Sequence, residues 1–250
     1  MDIVGRVNAF VGDDDSRAVV LQSLRGTDIS VGRNADRVFP AASLMKLALA
    51  VTVMEQADQR RVVTRSDLGR TDYPSLLEVF EPRHRFTLAE LCGLMLATSD
   101  NPVGAFLTDL VGMEAVTATA ARAGARQTFM RVGFTDRELD ATARDSVTTA
   151  DDTARVLRYV ATEPRLRPLV RALRNSMRNF RLPLRLPDHL PVAHKTGSLR
   201  GLAHDAGILY GRHVDLIAVF LTDCQEDTAL VNIQIGDCIA DVWRLADETL

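Results

Sequence analysis

Two short segments of this chain bring hydroxyls and amines together in patterns that can do chemistry. Ser43 and Lys46 are three residues apart at the start of an apolar run, and Lys195 is followed directly by Thr196. A serine hydroxyl is a weak nucleophile until a neighbouring base takes its proton. A lysine one helical turn away can be that base when burial or a second positive charge lowers its pKa. Ser43 and Lys46 therefore predict nucleophilic catalysis through a covalent intermediate.

Lysine is rare in this chain, which makes both positions informative. Lys and Arg together number 30, and only Lys46 and Lys195 are lysines. Arginine fills most surface roles of a positive charge and stays protonated, whereas lysine can lose its proton or act as a compact point charge. We therefore expect lysine chemistry at these two positions, with Lys195 as the second charge near Lys46.

The segment Ser99-Asp100-Asn101 offers a second hydroxyl and an amide. Such a serine can pass a proton to a leaving group, and the amide can orient a substrate. Taken alone, the same three residues are also typical of a turn that caps a helix.

The segment Lys195-Thr196-Gly197 offers a cation and a hydroxyl for a substrate carboxylate. Gly197 would let a substrate backbone approach closely, because glycine has no side chain. The backbone N–H of Ser198, together with that of Ser43, would form an oxyanion hole. Arg200 has two interpretations: a second contact for the substrate carboxylate, or an exposed loop arginine.

The elements that position these residues follow from the spacing of apolar residues. Residues 4–10 and 17–24 are predicted as two strands of a hairpin, and residues 26–40 as mostly irregular. A helix is predicted from Ser43 to about Arg60, since its apolar residues recur at helical spacing. Further helices are predicted over residues 87–98, 102–110, 114–123, 149–162, 165–176 and 227–250. Thr87 is the predicted cap of the second helix, with Glu90 completing a capping box.

Strand patterns return near the end of the chain, and they suggest how the two ends combine. Residues 127–132, 192–195, 203–212 and 214–222 read as strands, the last two forming a hairpin. We predict one unit with a sheet lobe (residues 1–39 plus 174–250) and a mostly helical lobe (residues 40–173), and a site in the cleft between them.

Composition excludes several function classes. A net charge of −3 over 250 residues gives no reason to expect a nucleic-acid partner. No apolar run approaches the length of a membrane span, and no signal-peptide pattern opens the chain. The three cysteines form no CxxC pair and read as reduced thiols, so we expect a cytoplasmic location.

Nothing in the sequence predicts a metal or another cofactor. The five histidines show no ligand spacing and are interpreted as structural. Packing is likewise the interpretation favoured for His204 and Asp205, although they follow the Lys195 segment closely. Seven arginines between Arg165 and Arg185 read as a solvated helix face and linker, with an anion-binding patch as the alternative. The oligomeric state stays open.

Taken together and in this order, the three segments are specific. The chain resembles the serine β-lactamases of class A and the penicillin-binding proteins, in these motifs, in Phe39-Pro40-Ala41-Ala42 and in Ala193-His194. The resemblance implies an α/β fold of the α+β type, β-lactamase/transpeptidase-like, in which helices flank an antiparallel sheet.

The resemblance also implies a role for each residue. Ser43 would be the nucleophile and Lys46 its base, Ser99 a proton relay and Asn101 a substrate contact. Lys195 and Thr196 would anchor the carboxylate of a small-molecule substrate, such as a β-lactam, and no cofactor would be needed.

The chain departs from this family in the residues that release the acyl group. Class A β-lactamases deacylate with the first residue of a Glu-x-x-Leu-Asn motif, and the matching stretch here is Asp136-Arg137-Glu138-Leu139-Asp140. Asp136 stands at the Glu position but is one methylene shorter, and catalytic contacts tolerate little misplacement. Glu138 is the second candidate, and a solvated loop without catalytic acids is the alternative.

Two further departures are expected. Ala105 stands where the family usually has an Asn that braces the deacylation loop, and the usual N-terminal helix is predicted to be nearly absent. The leading prediction is therefore β-lactam amide hydrolysis, with slow turnover. The alternatives are an esterase, D,D-peptidase or acyltransferase that uses the same residues, and a penicillin-binding sensor that stays acylated.

Overall fold

Strands lie near both ends of the chain, and most of the helices lie between them. The computed structural model describes residues 2–13, 15–68, 74–134, 145–223 and 227–248. Its α-helices are α1 (Ile3–Val11), α2 (Met45–Gln56), α3 (Leu88–Thr98), α4 (Asn101–Val111), α5 (Met113–Arg122), α6 (Ala150–Thr162), α7 (Arg167–Leu173) and α8 (Thr228–Trp243). Its strands are β1 (Arg17–Gly26), β2 (Ser30–Arg33), β3 (Phe39–Pro40), β4 (Val62–Thr64), β5 (Arg85–Thr87), β6 (Val147–Thr148), β7 (Val192–Leu199), β8 (Leu202–Tyr210) and β9 (Val214–Thr222).

The main sheet is antiparallel and joins strands from the two ends of the chain. Its five strands are ordered β2-β1-β9-β8-β7, so that β7 forms one edge. In the β7–β8 pair, Thr196 lies opposite Asp205 and Gly197 opposite His204. The predicted β8–β9 hairpin is confirmed, as is the prediction of an antiparallel sheet flanked by helices. The lobe boundaries at residues 39/40 and 173/174 stay a prediction.

Each face of this sheet packs against its own set of helices. Successive side chains of a strand point to opposite faces. On β1, Ala18 and Val20 belong to the core that includes α2, α3 and α6, whereas Val19 and Leu21 belong to the core that includes α1 and α8. Alternating apolar residues on β1 thus fix which face of the sheet packs against each set of helices.

The prediction of a strand over residues 4–10 is wrong, because this stretch is the helix α1. Its Val7, Phe10 and Val11 are buried at helical spacing, and the Asp2 side chain accepts the Gly5 N–H at 2.8 Å as an N-terminal cap. The several β-branched residues suggested a strand, but packing against the sheet decides the conformation. The N-terminal helix predicted to be nearly absent is therefore present, and β1 pairs with β2 and β9 instead.

Three other predictions need adjustment. Residues 26–40, predicted as mostly irregular, contain β2 and β3. Residues 127–132 form only an isolated bridge from Phe129 to Val147. The last α-helix ends at Trp243, and a π-helical turn, Arg244–Glu248, follows it.

The helix α2 runs through the middle of the helical core. It is buried without interruption from Met45 to Met54, including the side chain of Lys46. A helix that is apolar on all sides is buried on all sides. Before it, residues Ala42–Leu44 form a 3₁₀ turn that contains Ser43, and Ala42 has a positive φ of 47°. A positive φ is unusual for a residue other than glycine and marks a constrained turn.

The α3–α4 turn presents the second hydroxyl segment. Thr87 and Glu90 form the predicted capping box at the start of α3. At the other end of α3, Ser99 adopts the left-handed conformation with φ 63°, and Asp100 then caps α4 by accepting the Val103 N–H at 3.0 Å. The chain reverses at Ser99, which turns this residue toward α2.

The helices of the described ranges are short or only partly apolar. No single helix there is both long and apolar enough to cross a bilayer; α4 and α5 reach that threshold only as a pair, bent by 87°.

We predict that Thr87→Ala lowers the free energy of unfolding by about 1 kcal/mol, because the capping box of α3 is lost. The control is Thr162→Ala, which removes an exposed threonine whose hydroxyl bonds only to the Arg158 carbonyl four residues back. This control should cost less than about 0.5 kcal/mol. Urea denaturation measures both, and equal losses would contradict a capping role.

Candidate active site

Ser43 and Lys46 face each other at the start of α2. Lys46 is fully buried, and its Nζ lies 3.3 Å from the Ser43 Oγ. The 3₁₀ turn before α2 sets the hydroxyl on the same side as the amine, as the three-residue spacing predicts. The predicted nucleophile and base are therefore within hydrogen-bond reach of each other.

The α3–α4 turn closes around the same amine. Lys46 Nζ donates to the Ser99 carbonyl at 2.8 Å and to the Asn101 Oδ1 at 2.5 Å, and it lies 3.4 Å from the Ser99 Oγ. Each of these acceptors comes from the Ser99-Asp100-Asn101 segment, so this segment binds the amine as well as capping a helix.

Asp100 braces the turn from behind. Its Oδ2 accepts the Ser75 hydroxyl at 2.6 Å and the Leu76 N–H at 3.1 Å, while its Oδ1 accepts the Val103 N–H. Three groups held by one buried carboxylate fix the direction in which Ser99 points.

Lys195 reaches the same hydroxyl from the edge strand β7. Its Nζ donates to the Ser99 Oγ at 2.9 Å and to the Thr196 carbonyl at 2.7 Å. The side chain is 1% exposed. The Ser99 hydroxyl thus lies between two buried amines, and it can exchange protons with either.

Burial and mutual repulsion change the acidity of both lysines. The pKa of Lys46 is lowered well below its usual value, first by burial and then by the charge of Lys195. The pKa of Lys195 is lowered to about 7, first by burial and then by the nearby Arg178. Lys46 can accept a proton only when its amine is neutral, and its lowered pKa favours the neutral form.

Gly197 lets β7 approach the turn that contains Ser43. A Cβ at this position would lie 3.2 Å from the Leu44 Cγ and 3.3 Å from the Ala41 carbonyl oxygen. Such a group would push β7 away from the turn that contains Ser43. In this chain Gly197 therefore serves close packing of the strand against the Ser43 turn.

Arg181 supports the outer side of β7, and the sequence did not indicate it. Its guanidinium donates to the carbonyls of Gly197 at 3.0 Å and His204 at 2.6 Å, to the Ser198 Oγ at 2.8 Å and to the Asn232 Oδ1 at 2.6 Å. It is 2% exposed. The interpretation of the seven arginines as surface and linker is wrong for Arg181, and no local pattern distinguishes it from the other six.

Comparison with known families and structures identifies the family and the fold of this chain. The model of the beta-lactamase enzyme family matches residues 5–243. The chain belongs to the beta-lactamase enzyme family. A search of curated proteins found no match.

Solved structures of β-lactamases and a penicillin-binding protein share the fold. The β-lactamase of Sphaerobacter thermophilus is 21% identical, with a TM-score of 0.84 over 97% of this chain and 95% of that one. PBP-A is 21% identical, with a TM-score of 0.83 over 99% of this chain and 96% of that one. A point variant of PBP-A, in an acyl-enzyme complex with penicillin G, is 19% identical, with a TM-score of 0.80 over 99% and 97%.

The predicted site residues divide into three groups. Five of them are joined by the hydrogen bonds described above: Ser43, Lys46, Ser99, Asn101 and Lys195. Thr196, Gly197 and Ser198 follow on β7, and Arg200 is exposed at the turn after it. Asp136 and Glu138, the candidates that would deacylate a member of this family, lie outside the described residues.

The buried His194 and His204 support the fold, as the sequence predicts. The Thr222 N–H donates to the His204 Nδ1 at 3.0 Å, and the His204 Nε2 bonds to the Pro40 carbonyl at 2.8 Å. Burial lowers the pKa of His204 to about 4, so the ring is neutral. Its two bonds link β8 to β9 and to Pro40, shortly before Ser43. His194 pairs with Asp205 at 2.9 Å. Across the described ranges, no three His, Cys, Asp or Glu side chains gather as a metal site.

We predict that Arg181→Met lowers the free energy of unfolding by about 2–4 kcal/mol, because it leaves buried acceptors without a donor. The matched control is Arg185→Met, in the same segment, where the arginine is exposed and pairs with Asp237. That control should cost less than about 0.5 kcal/mol. Urea denaturation of both variants checks the difference, and similar losses would argue against Arg181 as the support of β7.

Proposed function

We propose that this member of the beta-lactamase family is a serine hydrolase that forms an acyl-enzyme on Ser43, and that a β-lactam amide is its substrate. The observation that carries the proposal is the buried Lys46 Nζ, 3.3 Å from the Ser43 Oγ, with a pKa lowered well below its usual value. A neutral amine in this place can accept the hydroxyl proton.

The steps follow from the contacts. Neutral Lys46 takes the proton of Ser43, and the Ser43 Oγ forms a bond to the carbonyl carbon of the lactam. The C–N bond then breaks, and the nitrogen takes back a proton through the Ser99 hydroxyl, which lies between Lys46 and Lys195. Water finally adds to the ester, which releases the acid and restores the Ser43 hydroxyl.

A carboxylate on the substrate fits the positive side of the site. Lys195 and Thr196 would anchor it, and Arg178 and Arg181 add to the positive potential, since both charges lower the pKa of Lys195. Arg200 is exposed at the end of this strand and would contact the outer part of a bound substrate. A small molecule with a carboxylate near an amide or ester is the substrate class, and a cytoplasmic location remains part of the proposal.

The second candidate is a penicillin-binding sensor that acylates without turnover. The observation that favours it is the ring of Phe134, centred 4.6 Å from the Lys46 Nζ. The ring lies beside the amine and, unlike a carboxylate, it cannot activate a water for deacylation. Asp136 or Glu138 would have to supply that acid for efficient hydrolysis.

The deciding experiment is the intact mass of the protein against time after mixing with a penicillin. The lactam nitrogen stays attached when the ring opens, so acylation adds the mass of the whole penicillin. A transient adduct with hydrolysed product supports the β-lactamase, and a lasting adduct supports the sensor. No adduct with any penicillin tested would contradict both and favour a different acyl substrate.

We predict that Ser43→Ala abolishes the adduct, because the acyl group has no oxygen to bond. Ser30→Ala, an exposed serine on β2, should behave as the unmodified protein does. Mass spectrometry under identical conditions compares the two. An adduct that persists in Ser43→Ala would remove Ser43 as the nucleophile.

We also predict that Lys46→Arg lowers the acylation rate by about 10²–10⁴-fold, because arginine cannot give up its proton to act as a base. Lys195→Arg is the matched change at the other buried amine. It keeps the positive charge that an anchor needs, so it should weaken binding more than it slows the chemical step. Full activity of Lys46→Arg would exclude Lys46 as the base.

The pH dependence follows from the two lysines. As pH rises through the lowered pKa of Lys46, the neutral base accumulates and acylation speeds up. As pH rises through about 7, Lys195 loses its charge and binds a carboxylate less well. We therefore predict a bell-shaped kcat/KM for a carboxylate substrate, and no descending limb for the same substrate with its carboxylate esterified. A descending limb common to both substrates would assign it to another group.

A further inference from the structure

Phe134 lies against Lys46, the proposed general base. The centre of its ring is 4.6 Å from the Lys46 Nζ. Lys46 is fully buried, whereas Phe134 is only half-buried. The ring therefore covers one side of the buried amine and is itself partly exposed.

Gly104 on α4 makes room for this ring. A Cβ at residue 104 would lie 2.8 Å from the Phe134 Cδ2 and 3.2 Å from the Lys46 Cε. A contact of 2.8 Å is closer than packed carbon atoms allow. The ring and the lysine side chain therefore both press against the backbone of α4, and any side chain at this position would displace one of them.

The segment before Phe134 is attached to the same support as the nucleophile. The Ser146 Oγ accepts the N–H groups of Arg131 at 3.1 Å and Val132 at 3.4 Å. The Ser146 carbonyl accepts the Ala41 N–H at 2.7 Å, two residues before Ser43. Ser146 thus fixes the approach to Phe134 and the approach to Ser43 at once.

The ring has two opposite effects on the amine. It excludes water, and burial is the largest cause of the lowered pKa of Lys46. Its face also attracts a cation, which raises the pKa. Among the described residues, the charges that act on the amine are Lys195 and Arg178, which lower the pKa, and Asp100, which raises it.

We propose that Phe134 is a positioning residue of the acylation step, whose ring closes the pocket around the Lys46 Nζ, keeps water from the amine and holds it at the Ser43 Oγ. This inference rests on the proposed function, since a dry amine matters only if Lys46 is the base. Phe134 would act through Lys46, which its ring contacts, rather than on the bond that breaks.

Two variants separate the effects of the ring. Phe134→Ala lets water reach the amine, so the pKa of Lys46 should rise and the ascending limb of the acylation rate should move to higher pH. Each unit of this movement lowers the rate about tenfold at a fixed pH on that limb. Phe134→Leu keeps the pocket apolar and loses only the attraction of the ring face, so its ascending limb should not move to higher pH.

The control is Phe129→Ala, on the same segment. Phe129 is exposed, and its ring contacts Arg131 rather than Lys46. Its removal should leave the pH profile unchanged, whatever it does to the thermal midpoint. A Phe134→Ala profile that keeps the original limb, with only a lower rate or a lower midpoint, would show a purely structural role and overturn the inference.

A second measurement needs no substrate. The chain has only two lysines, so protein labelled with ¹³C at the lysine Cε gives two signals, which Lys195→Arg assigns. We expect the Lys46 signal to titrate at higher pH in Phe134→Ala than in the unmodified protein. An unchanged titration would overturn the inference. A shifted titration in a protein that no penicillin acylates would support the role of Phe134 and contradict only the proposed function.

Discussion

Two buried amines share one hydroxyl, and the rest of the site depends on that arrangement. The Ser99 Oγ is 3.4 Å from the Lys46 Nζ and 2.9 Å from the Lys195 Nζ, and neither lysine has appreciable exposure. Burying two like charges side by side is expensive, and the free energy falls if one amine gives up its proton. Under the proposed function, this difference makes one of two otherwise similar side chains a base and the other an anchor. A carboxylate substrate would stabilise the charge on Lys195 and leave Lys46 neutral.

This arrangement constrains the fold around it. Lys46 comes from α2, Ser99 from the α3–α4 turn and Lys195 from the edge strand β7, so three distant parts of the chain must meet within a few ångströms. Gly197 permits the close approach of β7, and Arg181 satisfies carbonyls on its other side. Both supports act on the backbone of β7, and they thereby hold the side chain of Lys195 beside Ser99.

The sequence could predict the members of the cluster because their spacing is local. Ser43 and Lys46 lie one helical turn apart, and Thr87 with Glu90 is a short-range cap, so pattern alone suffices. It could not predict α1, where β-branched residues favour a strand and only burial against the sheet decides. The sequence could not identify Arg181 and Phe134 as parts of the site for a different reason. Their partners, such as Asn232 and Gly104, are tens of residues away, so the contacts exist only once the chain has folded.

Leu76 and Met177 have exposed side chains, although their backbone N–H groups bond to Asp100 and Ala97, at or beside the α3–α4 turn. The Leu76 N–H bonds to Asp100 and the Met177 N–H bonds to the Ala97 carbonyl, while the side chains are 39% and 73% exposed. Anchoring runs through main-chain atoms, so replacing either side chain leaves the anchor intact. By contrast, α2 is buried along most of its length and tolerates little change. Leu76 and Met177 can therefore vary in sequence while Ser99 and Lys46 stay where they are.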